Sequence, residues 1–336
     1  MKKFVLIALT GLLVSCSSPT PEVNLYSARK EALIKPLLDA FTKETGIKVN
    51  IISASADALL ERIKSEGINS PADVLLTTDA GRLHRAKQAS LFAPIDSEVL
   101  NNNIPANYRD GDNTWFGLSL RARPIMVTAK APDIALTNYE DLTKPELAGQ
   151  ICIRSSGNIY NQSLVASMLA HASAAEVETW AKGLVANLAR EPQGGDRDQI
   201  RAAAAGQCSV VVANTYYLAN MLADIATDDD RAAGEAISVI WPNQQNRGTH
   251  VNVSGAGLIK SAPNSDNAIK LIEYLSGDEA QHLYANVNFE YPVKPGVPVH
   301  PILAKWGEFK ADALPLEKLG ENNAEAVKLM DRAGWK

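Results

Sequence analysis

Cysteine is scarce in this chain, with three in 336 residues. A disulfide-stapled scaffold is therefore excluded, and the core must be apolar. The five histidines are scattered, which argues against a histidine-rich zinc site. No basic tract appears, and the formal net charge is −5, so nucleic acid is a poor partner. Beyond the first residues no apolar run is long enough to cross a bilayer. Catalytic signatures are missing as well. There is no G-x-S-x-G elbow, no Walker loop, no G-x-G-x-x-G after a strand and no H-E-x-x-H. Internal repeats and low-complexity tracts are also absent from the sequence. These absences point away from an enzyme.

What is present begins with an export signal. Met1-Lys2-Lys3 precedes an apolar run from Phe4 to Val14 and the small residues Ser15-Cys16-Ser17-Ser18. Leu13-Val14-Ser15-Cys16 resembles a bacterial lipobox, in which cleavage falls before the cysteine and the cysteine is acylated. Residues 1–22 are thus read as lipoprotein signal and linker, with Cys16 as the membrane tether. The alternative is an ordinary cleaved signal with an incidental cysteine. Without Lys2 and Lys3 the basic residues fall from 33 to 31 against 38 acidic, a formal charge of −7. The remaining chain of about 320 residues is long enough for two domains. Cys152 and Cys208 lie near the starts of apolar segments in an exported, oxidising setting. They either pair or stay as two buried thiols.

The first hundred residues alternate strand and helix. Strands are expected at Val23–Ser27, Lys48–Ile52 and Ala72–Thr78, and helices at Glu31–Thr45, Asp57–Glu66 and Ala80–Ala89. Such alternation predicts an α/β sheet whose strand ends converge on a cleft. Phe116–Val127 reads as an extended hinge strand between lobes, and Gly248–Ile259 as the return strand. A second α/β set starts at Ile151, with helices near Asn161–Ala172, Ala174–Leu188 and Asp196–Ala205. Helices Ser265–Leu275 and Asp278–Ala285 follow, and the tail ends in a helix near Asn322–Ala333. The expected lobes are 23–120 with 250–299, and 121–249 with 300–336. The acidic run Asp228-Asp229-Asp230 reads as a solvated loop.

One stretch carries unusual chemistry. Val210-Val211-Val212-Ala213-Asn214-Thr215-Tyr216-Tyr217 reads as a buried strand delivering two tyrosines to a loop. Paired phenols can hold a hard, highly charged cation as phenolates. Taken alone, two adjacent tyrosines read by default as ordinary core or surface residues. An exported two-lobed chain without catalytic motifs suggests a ligand-capturing protein that closes about a hinge.

Several segments, taken in order, resemble those of bacterial periplasmic ferric-ion-binding proteins, the substrate-binding components of iron(III) ABC importers. They are Leu25-Tyr26-Ser27-Ala28-Arg29, Phe41–Val49, Pro71-Ala72-Asp73-Val74, Gly117–Arg123, Arg154–Ser163, Ala213–Tyr217 and Phe289-Glu290-Tyr291-Pro292. The resemblance spans nearly the whole exported chain. It implies a periplasmic-binding-protein-like fold of two α/β lobes, and a monomer tethered by lipid in the periplasm. It also implies delivery of Fe3+ to an ABC permease and its ATPase. Tyr160, Tyr216 and Tyr217 are the implied ligands. Three phenolates neutralise a trivalent ion, whereas Fe2+ would leave excess negative charge.

Departures from the family pattern fall in the first lobe. Lys30 stands where many relatives have His, Glu31 where some have a second Tyr, and Thr78 where others have a carboxylate ligand. Remaining iron positions are expected to go to carbonate, another synergistic anion or water. Arg121 is the expected anion or phenolate partner and Arg29 a weaker one, Glu31 is a candidate to replace the missing first-lobe ligand, and Asn158 is expected behind the ligands. Arg29 could instead hold an interlobe salt bridge, and Glu31 reads as an exposed first-turn helix glutamate. Asp79 and His250 are expected to support the cleft or hinge. The rival reading is a binding protein of the same fold for a polyamine, thiamine or a phosphonate, with the tyrosines as stacking surfaces. An exported bilobal enzyme would need an acid–base pair or nucleophile that the sequence does not display.

Overall fold

The computed structural model describes residues 20–336. The expected signal cleavage and acylation at Cys16 fall outside the described residues. Strand β1 (Glu22–Ser27) leads into helix α1 (Glu31–Thr45), which buries Ile34, Leu37, Leu38 and Phe41 along one face. Gly46 ends that helix at φ 73°, its N–H closing on the Thr42 carbonyl. Then come β2 (Lys48–Ser53), α2 (Ala56–Glu66), β3 (Val74–Thr78) and α3 (Ala80–Gln88). Strands β2, β1 and β3 pair in parallel, so their C-terminal residues Ser27, Ser53 and Thr78 share one edge.

Short β4 (Phe92–Ala93) and α4 (Glu98–Asn103) precede β5 (Phe116–Ala122). The expected hinge strand does not run unbroken. It stops at Ala122 and resumes as β6 (Ile125–Thr128) in a second sheet. Pro124 has no N–H to donate, so a continuous ladder cannot pass through it.

The second sheet adds β7 (Ile151–Cys152), followed by α5 (Ile159–Leu169), α6 (Ala174–Ala186) and α7 (Asp196–Ala204). Next are β8 (Val210–Val212), α8 (Thr215–Leu222), α9 (Asp228–Glu235) and β9 (Ile237–Ile240). The order is β7-β8-β6-β9. Cys152 and Cys208 are joined in a disulfide, tying β7 to the approach to β8.

The chain then returns to the first sheet in β10 (Val251–Ile259), which is buried along its whole length. It pairs antiparallel with β3, β4 and β5, giving a six-stranded sheet. A bulge falls between Ser254 and Gly255, where a Cβ would stand 2.5 Å from the Phe116 carbonyl oxygen. Helices α10 (Ser265–Ser276), α11 (Asp278–Asn288), α12 (Pro301–Ala304), α13 (Glu317–Glu321) and α14 (Asn323–Arg332) complete the chain.

Each sheet has its own core. Leu25, Phe41, Phe116 and Leu271 pack on the first, and Ile151, Leu164, Trp180 and Val210 on the second. The tail serves both. Leu316 and Leu319 join Leu59 and Trp115, while Leu329, Met330 and Trp335 join Trp180.

Two local expectations are corrected. Tyr216 and Tyr217 sit in the first turn of α8 rather than in a loop. Asp228, Asp229 and Asp230 open α9 rather than forming a solvated loop. Thr227 caps that helix, acidic residues suit its positive end, and Asp230 pairs with Arg201 at 2.7 Å.

Candidate metal centre

Helices α5 and α8 start at one cavity. Asn158 caps α5, its Oδ1 accepting from the Tyr160 N–H at 3.2 Å. Tyr160 therefore projects from the first turn of α5, as Tyr216 and Tyr217 do from α8. The positive end of a helix favours an anionic side chain in that turn. One buried residue fastens both helix starts. The Arg123 guanidinium donates to Asn161 Oδ1 at 2.7 Å and to Asn214 Oδ1 at 3.0 Å. Asp196 lies 3.4 Å away as its counter-charge. Arg123 lies in the link between β5 and β6, so the crossover itself holds the tyrosine-bearing helices.

The three phenols converge. Tyr216 Oη stands 3.3 Å from Tyr160 Oη, and the rings of Tyr216 and Tyr217 lie 4.2 Å apart. They line a cavity of about 440 Å³ together with Arg29, Lys30, Thr78 and Arg121. A cavity of about 500 Å³ elsewhere, bordered by Ile63, Leu91, Ile259 and Lys260, gathers no such donors. Among the described residues no group of three or more His, Cys, Asp or Glu is placed to hold a metal. The cavity offers three phenolic oxygens as hard donors beside the single carboxylate of Glu290.

A buried ionic cluster lies beside the phenols. Glu290 accepts from Arg29 Nη2 at 2.9 Å and from the Ser119 hydroxyl. Ser254 Oγ accepts from Arg29 Nη1 at 2.7 Å and from Arg121 Nη2. Arg121 Nη2 is 3.9 Å from Glu290. Its Cζ stands 5.9 Å from the centroid of the Tyr160 ring and 5.8 Å from that of Tyr216. Burial pulls the Glu290 pKa upward, but Arg29, Arg121 and Ser119 hold it below the usual carboxylate range. Glu290 is thus an anion that keeps two arginines in place.

Burial raises the Tyr216 pKa well above that of a free phenol. Repulsion from Tyr160 and Tyr217 adds to the rise, and Arg121 opposes it. Burial, then Tyr160 and Asp196, push Tyr217 up to about 12. Without a cation, Tyr216 and Tyr217 are therefore protonated at neutral pH. A bound trication reverses both causes by replacing solvent and by separating the negative charges.

The other expected residues divide. Arg29 and Arg121 line the cavity. Asn158 acts one step behind, as the cap of α5. Glu31 is exposed in the first turn of α1, outside the cavity lining. Asp79 and His250 are buried beside the crossover segments, also outside the lining. The sequence reading assigned no role to Glu290, Ser254, Ser119, Asn288 or Arg197. Glu290 and Ser119 gave a signal only as members of the segments Phe289–Pro292 and Gly117–Arg123.

The chain is similar to known proteins over most of its length. The family model for bacterial extracellular solute-binding proteins matches residues 69–310. Iron uptake protein A1 of Synechocystis is 48% identical, over 99% of this chain and 96% of its own length. The solved Trichodesmium protein FutA, in complex with iron and citrate, is 49% identical with a TM-score of 0.90. That match covers 94% of this chain and 100% of the other. The ferric iron-binding protein A of Mannheimia haemolytica, in an open conformation, is 46% identical with a TM-score of 0.87. It covers 94% and 99% of the two chains.

Proposed function

This chain belongs to the bacterial extracellular solute-binding proteins, in their ferric iron-binding periplasmic type, and from that premise we propose that Tyr160, Tyr216 and Tyr217 are its iron ligands. It binds ferric iron for uptake and is a solute-binding protein rather than an enzyme. The observation that carries the ligand assignment is the convergence of three phenols from two helix starts on one cavity, beside Arg121.

Iron enters the cavity and displaces the phenolic protons. The three phenolates cancel its charge. Arg121 stabilises the tyrosinates and the anion that completes the coordination sphere, carbonate or another oxyanion. Lys30 stands at the position of a first-lobe ligand and, as an ammonium, does not coordinate. The lobes, 23–120 with 250–299 and 121–249 with 300–336, close on the loaded site. The closed form docks on an inner-membrane ABC permease whose ATPase drives import. Cleavage before Cys16 and acylation of that residue hold the protein at the membrane as a monomer.

Competition against a ferric chelator tests the ligands one by one. Tyr160→Phe, Tyr216→Phe and Tyr217→Phe should each weaken ferric binding by more than the roughly 10–100-fold typical of residues behind the ligands. Unchanged affinity in any one of them removes that tyrosine from the set.

A further inference from the structure

Iron binding leaves one end of the first sheet unused. There Ile68 is 90% exposed, the most exposed large apolar side chain among the described residues. It sits on the short turn Gly67–Asn69, between α2 and β3. A lone exposed apolar residue needs no explanation, but this one continues into a cavity. That cavity, of about 500 Å³, is bordered by Ile63, Leu91, Ile259, Lys64 and Lys260 as well as Ile68. Its lining holds two lysines and no carboxylate, in a chain whose formal net charge is −5. Lys64 is paired with Glu61 at 2.8 Å. Lys260 has no carboxylate within 4.0 Å among the described residues. An apolar tip and floor rimmed by ammonium groups suits an anionic lipid surface, where the apolar part enters the headgroup boundary and the lysines meet phosphates.

Covalent geometry brings this end to a membrane. Pro21 is already fixed to the sheet, its carbonyl accepting from the Lys48 N–H at 2.9 Å. Cys16 lies five residues earlier. At no more than about 3.6 Å per residue, an acylated Cys16 keeps Pro21 within roughly 18 Å of the lipid.

The start of β1 and the Ile68 turn belong to the same end. The Asp73 carboxylate accepts from the Asn24 N–H and from the Asn264 N–H, each at 2.7 Å. The Asp73 carbonyl accepts from the Ile259 N–H at 2.9 Å, and the next residue, Lys260, donates its N–H to the Leu91 carbonyl at 2.8 Å. The Ser261 hydroxyl then donates to the Gly67 carbonyl at 3.4 Å, in the turn that bears Ile68. Thr78, at the other end of β3, lines the tyrosine cavity. A protein resting on the Ile68 end therefore keeps that cavity off the bilayer.

We infer that Ile68, Lys64 and Lys260 form a docking surface for an anionic lipid bilayer, on which the tethered protein rests by this end of its first sheet. The inference rests on the reading of Cys16 as an acylated tether. The lipid supplies the anchor, and the patch sets the orientation. Each lysine near an anionic surface changes binding by about fivefold, so the protein is oriented without being locked.

The test uses the full chain purified from membranes, with mass spectrometry reading the modification at Cys16. Cys152 and Cys208 are joined and lipidated Cys16 has no free thiol, so an introduced cysteine alone takes a polarity-sensitive NBD label. The label is placed by Asn69→Cys, beside Ile68, or by Lys182→Cys on α6, both exposed. Each chain is reconstituted on vesicles of phosphatidylcholine alone or of equal parts phosphatidylcholine and phosphatidylglycerol. On the anionic vesicles the label at 69 should shift to the blue and brighten several-fold, and the label at 182 should not. Ile68→Asp should abolish the response. Lys64→Gln combined with Lys260→Gln should reduce it at least twofold, as should high salt. Melting curves establish that each variant is folded. A lipidated chain whose label at 69 does not respond overturns the docking surface and leaves the tether standing. An equal response at both positions, on neutral vesicles or in folded Ile68→Asp also overturns it. Soluble dimers that Ile68→Asp abolishes, with no lipid response, give the patch to a second copy and overturn it as well. An unmodified Cys16 overturns the tether and this proposal with it.

Discussion

Ser163 Oγ lies 2.9 and 2.8 Å from the two carboxylate oxygens of Asp79. Ser163 is one turn beyond Tyr160 on α5, and Asp79 caps α3 on the first-sheet side. The same carboxylate accepts from the Gly81 N–H and from Asn252 Nδ2, each at 2.8 Å. Asp79 is fully buried at φ 93°, so these bonds hold a strained backbone in place. Helix α13 packs against both α3 and α5 and closes the same junction. Asp79 and α13 together thereby register the tyrosine-bearing helix against the other sheet.

Removing that side chain leaves Ser163 and Asn252 buried without their acceptor. Asp79→Ala should lower unfolding stability by about 1–3 kcal/mol, from the cost of unsatisfied buried donors. Ser163→Ala should cost less, because Gly81 and Asn252 still satisfy the carboxylate. Denaturant melts of both variants check the order. Equal stability of Asp79→Ala and wild type would contradict the account.

Iron uptake should release protons. Tyr216 lies well above the free-phenol pKa and Tyr217 is pushed up to about 12, so both are protonated at pH 7 before iron binds. Each phenolate formed on iron releases one proton. Affinity therefore falls as pH falls, by about tenfold per pH unit for each proton released. Calorimetric titration in buffers of differing ionisation enthalpy counts them. Two or more per iron is expected, and none would contradict phenolate ligation.

His250 contributes a separate pH dependence, to folding. It is buried, and that burial, with Arg123 and Arg247 adding to it, lowers its pKa to about 3. The unfolded chain has a histidine of about 6.5. Between those values the unfolded state carries the extra proton, so this contribution to stability is full above about pH 6.5 and is lost as pH falls toward 3. The slope from this one group is at most about 1.4 kcal/mol per pH unit. A folded His250→Asn variant should show a flatter dependence of melting temperature on pH from 6.5 to 4. An unchanged slope would assign the acid sensitivity to other groups.

What could be read from the sequence followed the range of its interactions. Ile34, Leu37, Leu38 and Phe41 recur at helical spacing, and Gly46 supplies the left-handed stop, so α1 was legible locally. The start of α8 was not. Three valines and two tyrosines all favour strands, while the turn into helix depends on Arg123 holding Asn214 from 91 residues away. The acidic start of α9 did carry a local sign in Thr227, masked by the charge run that follows it. The ionic cluster left no local pattern that pairs its members. Glu290 meets Ser119 across 171 positions, and Arg29 meets Ser254 across 225. The tyrosine trio was legible only through resemblance. Two of its members are adjacent, but Tyr216 and Tyr160 are 56 positions apart and meet only in the folded chain.

Ferric iron held on the three tyrosinates would show itself in a visible absorption titration with ferric citrate at neutral pH. Wild type should develop a red-orange charge-transfer band that is lost on reduction. The Tyr160→Phe/Tyr216→Phe/Tyr217→Phe triple variant, if folded, should stay colourless. A triple variant that binds iron with the same band, or a wild-type protein that binds iron without colour, would contradict the account.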